Sequence, residues 1–126
     1  MRRLKDAELD SLDNLQIDWI QHADALELIR SHIADANAAL DAVSVSWIWT
    51  ADTYMCRNGK PRCFVDVYRD LRAHADELAW HAVDRASPSD RHPHGCADMA
   101  RQIAIAAVAM RAAISWLCTA AQMDEG

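Results

Sequence analysis

The sequence predicts an all-α protein, an up-and-down bundle of about four helices with room for one short β-hairpin near residues 45–65. Three observations lead there. Leu12, Leu15, Trp19, His22, Leu26, Ile29, Ile33, Ala36, Leu40 and Val43 fall alternately three and four residues apart, and all but His22 are apolar in a chain that is 52% apolar. That rhythm is the seam of a helix that packs lengthwise on others. A second seam runs through Phe64, Tyr68, Leu71, Ala75, Leu78 and Ala82. Only three glycines and three prolines interrupt 126 residues, which favours helix over a sheet-rich fold. A chain of this length makes one domain, residues 1–126, able to bury a core without a metal or disulfide staple.

The first seam extends in the same rhythm through Trp47, Thr50 and Tyr54. A continuous helix from Asp6 to Cys56 would be about 75 Å long, wider than a globule of this size. A break is expected, and Asn37, Asp41, Ser44 and Ser46 mark where it falls, because such side chains compete for backbone hydrogen bonds. Serine alternates with valine and tryptophan from Ser44 to Trp49, so a strand turning at Asn58-Gly59 competes with helix there. The helical account is preferred, with Asn58-Gly59 as a left-handed helix end and Pro61 opening the next helix.

The third helix spans Pro61 to Arg85 and stops before Ser87-Pro88-Ser89-Asp90; a polar loop follows through His92-Pro93-His94-Gly95. The last helix runs from about Cys96 to Ala121. Met99, Ile103, Ala106, Met110, Ile114 and Leu117 line one side, and Ile105, Val108, Ala112 and Trp116 form a second apolar stripe opposite. A helix apolar on two faces is enclosed by its own chain or covered by something outside it, and enclosure is the preferred account. Arg101 and Arg111 within this stretch argue for a buried helix over a membrane span. No signal-peptide pattern is visible at the start, so a cytoplasmic location with reduced cysteines is expected.

A net charge of −6 disfavours direct nucleic-acid binding, which needs clustered lysine and arginine. Acidity instead suits a soluble protein that meets a basic partner. Asp66, Asp70, His74, Glu77, His81 and Asp84 lie within an arc of about 80° on the third helix, the arrangement with which bundles hold divalent metals for hydrolysis. Since the apolar seam lies elsewhere on that helix, the stripe is expected to face water. All-α nucleotide pyrophosphohydrolases use acidic bundle residues of this kind, but their Glu-x-x-Glu and Glu-x-x-Asp motifs are missing. Cys56, Cys63, His92, His94 and Cys96 have the residue types of a zinc site, at spacings unlike a finger and separated by the third helix. His22 is the one ionisable group that the seam places indoors. Arg69 and His74 resemble the Arg-x4-His signature of HEPN ribonucleases over six residues, yet a five-residue step turns them about 140° apart on a helix, and the family is not assigned.

No phosphate-binding glycine loop or nucleophile motif is present, so no catalytic residue and no cofactor is assigned. The functional expectation is therefore an acidic helical module that acts by occupying another protein's surface, as an inhibitor, an immunity protein or antitoxin, or a phage anti-defence blocker of the anti-CRISPR kind. Its partner is a protein, a basic nucleic-acid-handling one by charge, with no direct role for nucleic acid or membrane. Candidate anchors are Trp80, Ile105, Val108, Trp116, Trp47 and Trp49, since aromatic and large apolar residues dominate interface energy. Trp80, off the seam of its helix, is the best single candidate for an exposed aromatic. The alternative is a metal-dependent hydrolase built on Asp70, His74, Glu77 and His81. A homodimer through the long seam or the last helix's second stripe is a third option.

Overall fold

Alanine sets how closely the main helices approach. In a computed structural model that describes residues 3–46, 49–88 and 95–123, the last helix packs along two others. It does so through a face that carries Ala100, Ala106, Ala107, Ala113 and Ala120 between Ile103, Met110, Ile114 and Leu117, all buried. The elements in order are α1 (Asp6–Ser11), α2 (Ala23–Asp41), α3 (Ala51–Met55), β1 (Cys56–Arg57), β2 (Lys60–Pro61), α4 (Phe64–Ala86) and α5 (Ala97–Ala120). The chain is mostly helical, an all-α bundle with one small antiparallel hairpin. Helix α5 is central, with α2 and α4 packed on it. The core is one cluster that Ile29, Ile33, Leu40, Tyr54, Phe64, Tyr68 and Leu71 share with the inner face of α5.

The first seam does not become one helix. It breaks twice, after Ser11 and again after Asp41. Asn14 takes a left-handed backbone conformation (φ 70°). The Asp18 carboxylate accepts a hydrogen bond from the Ile20 N–H at 3.1 Å, and the Asp18 carbonyl accepts those of Gln21 and His22. These local bonds hold the segment in turns. Leu12, Leu15 and Trp19 still pack against the core from non-helical backbone, so their spacing reported burial and not helix. His22 ends up half-buried at the N-terminal boundary of α2.

The second break falls where it was expected, but not through every residue named for it. Ser44 is left-handed (φ 61°), with bonds from its N–H to the Asp41 carbonyl and from the Val45 N–H to the Leu40 carbonyl. This is the paired closure of a Schellman end. Asn37 stays inside α2.

The preferred helical account of 45–65 is corrected. Asn58 (φ 53°) and Gly59 (φ 75°) are both left-handed and join β1 to β2, with Cys56 opposite Pro61 and Arg57 opposite Lys60. Two consecutive positive φ values define the type I′ hairpin turn for which Asn-Gly is the favoured sequence. Pro61 therefore lies in a strand, and α4 begins at Phe64, whose N–H donates to the Leu15 carbonyl at 2.8 Å. One helical turn does precede the hairpin: α3, capped by the Thr50 hydroxyl accepting from the Thr53 N–H.

Candidate functional site

Two places collect the residues singled out by sequence: the inner contact between α3 and α4, and the outer surfaces of α4 and α5.

At the first, residues 49–62 form a strap tied to both α2 and α4. The Asn37 amide donates to the Trp49 carbonyl at 3.0 Å and to the Ile33 carbonyl at 3.2 Å. Asp52 faces Arg30 at 3.5 Å beside an open groove of about 510 Å³ between α2 and the strap. On the α4 side, Tyr54 is fully buried and its hydroxyl lies 2.7 Å from Nδ1 of His74. The Trp49 indole packs on both rings, with centroids 4.8 Å from Tyr54 and 4.7 Å from His74. Arg62, with only 8% of its side chain exposed, donates to an Asp70 carboxylate oxygen at 2.7 Å and to the Tyr54 carbonyl at 3.2 Å.

His74 has a pKa below its ordinary 6.5 because burial disfavours the imidazolium; the carboxylates of Asp70 and Glu77 oppose that shift without cancelling it. A neutral ring with its proton on Nε2 accepts the tyrosine hydroxyl at Nδ1. The cluster is a clamp that holds the strap to α4.

This placement alters the reading of the polar stripe. Asp70, His74, Glu77 and His81 share a face of α4, but that face does not simply meet water. Asp70 and His74 point to the strap, while Glu77 and His81 approach each other at 3.6 Å. Among the described residues, no three His, Cys, Asp or Glu side chains are grouped to hold a metal ion. All four cysteines are free thiols; His92 and His94 lie outside the described residues. Sequence reasoning missed Tyr54 and Arg62 as the partners of the stripe. An arginine three residues beyond a hairpin turn and eight before an aspartate was their only signal.

At the second place, Trp80 is 62% exposed on α4, its ring edge-on to His81. On α5, Ile105 (46%), Val108 (60%) and Trp116 (38%) are exposed together, all on the face turned away from α2 and α4. Enclosure of α5 by its own chain is thereby corrected: the helix is central on one face and bare on the other. Trp49 is removed from the list of surface anchors, because its indole is spent on Tyr54 and His74. Trp47 lies outside the described residues.

Val108, Arg111, Ala112, Ser115, Trp116 and Thr119 line a shallow groove of about 470 Å³ along α5. By length and composition α5 is apolar enough to cross a membrane, and 56% of its most apolar stretch is buried inside the protein. Comparison of the chain with protein-family models, with curated proteins and with solved structures found no match.

Proposed function

We propose that this protein is a small acidic binding module that acts by occupying the surface of another protein, in the manner of an inhibitor, an immunity protein or antitoxin, or a phage-encoded blocker of a host defence complex. One observation supports this above the rest: the central helix of the bundle leaves Ile105, Val108 and Trp116 in water along its outer face. Large apolar side chains grouped on one surface are a feature of interaction sites, and a tryptophan among them is the residue type that most often dominates binding. Trp80 supplies a second exposed aromatic on α4. The occupied polar stripe lends no comparable support to hydrolysis, since Asp70 and His74 serve the clamp. Four free thiols accord with a reducing, cytoplasmic setting.

The test is capture from the native host with the wild-type protein and with Val108→Glu, which sets a charge in the middle of the stripe. One or more proteins retained by the wild type and lost with the variant is the expected result. Equal retention by both would remove the α5 face from the reading.

A further inference from the structure

The groove on α5 has the geometry of a receptor for another helix. In knobs-into-holes packing, each hole consists of four residues at positions i, i+3, i+4 and i+7 of the receiving helix. Val108, Arg111, Ala112 and Ser115 make one such set, and Ala112, Ser115, Trp116 and Thr119 make the next. Together these two sets are the lining of the groove. Ala112 and Ser115, shared by both, are small and form a floor between the taller Val108 and Trp116. The Thr119 hydroxyl donates to the Ser115 carbonyl at 2.9 Å, so it presents no unsatisfied donor to an incoming apolar side chain.

The charge along this face is opposite in sign to that of the chain. From Met99 to Met123 there is no aspartate or glutamate, while Arg101 and Arg111 are both exposed. Arg101 reaches Asp98 at 3.5 Å, but Arg111, in the wall of the first hole, forms no ion pair among the described residues. Interactions between exposed charges fade over about 8–10 Å at moderate salt, so a docked segment feels Arg111, the one charged residue in the groove lining, more than the net charge of the chain. A second copy of this chain would bring the same arginine, and the one acid of its α5, Asp98, lies in the first turn beside Arg101 and outside the groove.

We propose that the outer face of α5 receives an amphipathic helix of a partner protein, which sets two successive apolar side chains in the paired holes and an acidic side chain against Arg111. This rests on the protein-binding reading above and specifies the partner at that site: it is acidic where it touches α5, against the expectation from net charge of a basic surface.

The test uses two synthetic 21-residue helical peptides that share a leucine stripe at three-four spacing and differ only in having glutamate or lysine beside it. Binding of each is measured by fluorescence anisotropy to the wild-type protein, Val108→Glu and Arg111→Glu, each first shown by circular dichroism to be folded. The glutamate peptide is expected to bind at least tenfold more tightly than the lysine peptide, to lose binding to Val108→Glu, and to lose its advantage with Arg111→Glu. Equal affinity for the two peptides, or preference for lysine, would overturn the acidic partner while leaving α5 as a docking face if Val108→Glu still abolishes binding. Binding unchanged by Val108→Glu would overturn both. Concentration-dependent dimerisation by sedimentation, lost in Val108→Glu, would assign the face to a second copy; uptake by phosphatidylglycerol vesicles in preference to either peptide would assign it to a lipid surface. Each of these last two results defeats the proposal.

Discussion

The Tyr54 hydroxyl and Nδ1 of His74 lie 2.7 Å apart, which joins a five-residue helix in the strap to the middle of α4. Tyr54 is fully buried and His74 half-buried, so the hydroxyl end of the bond is shielded from water. Tyr54→Phe keeps the ring and its packing on Trp49 but removes the hydroxyl. It should cost about 1–2 kcal/mol in chemical denaturation, with the fold retained by circular dichroism.

His74 also gives a pH dependence. Its pKa in the folded protein lies below the ordinary 6.5, so the unfolded chain binds the proton more readily. The stabilisation associated with a neutral imidazole is complete above 6.5 and is lost as pH falls below it, towards the lowered folded value. Thermal midpoints measured from pH 7.5 to 5 should fall for the wild type and fall less for His74→Gln. Parallel curves for the two proteins would mean that His74 does not control acid sensitivity.

Arg62 is nearly buried, whereas its partner Asp70 keeps a third of its side chain in water. Arg62→Met retains most of the apolar stem but removes the bonds to Asp70 and the Tyr54 carbonyl. The expected loss is about 2 kcal/mol, since charge-assisted hydrogen bonds contribute more than neutral ones and Asp70 can recover hydration. Hydrogen exchange should show the loss concentrated in residues 49–62.

Gly95 stands two residues before α5, with φ 75°, and the next residue's N–H donates to the Arg85 carbonyl at 2.7 Å. A methyl group there would collide with the backbone carbonyl of Ala86, which cannot swing aside as a side chain would. Gly95→Ala should destabilise by about 1–3 kcal/mol, read as a lower urea midpoint with unchanged slope.

Trp80 provides the opposite case. With its indole mostly in water, Trp80→Ala should change stability by no more than about 0.5 kcal/mol while weakening capture of a partner. A large fall in thermal midpoint would instead place the indole's contacts among those that hold the fold together.

Local pattern alone carried the fold class, the long helices α2, α4 and α5, a break somewhere among Asn37, Asp41, Ser44 and Ser46, and the exposure of Trp80. Each follows from local information: three-four periodicity, a lack of glycine and proline, residues that favour turns, and a tryptophan off its seam. The rest came from how the elements dock on one another. Leu12, Leu15 and Trp19 keep helical spacing in a segment of turns, because apolar side chains reach a core from any backbone once Asp18 has drawn its hydrogen bonds aside and Asn14 has turned left-handed. Asn58-Gly59 could end a helix or turn a hairpin, and the choice depended on flanking residues being extended. The polar stripe on α4 looked solvated or metal-binding because its partners, Tyr54 and Arg62, come from a strap whose placement no single-helix pattern encodes. Which face of α5 stays bare was settled in the same way: both stripes are apolar, and only the docking of α2 and α4 on one of them leaves the other in water.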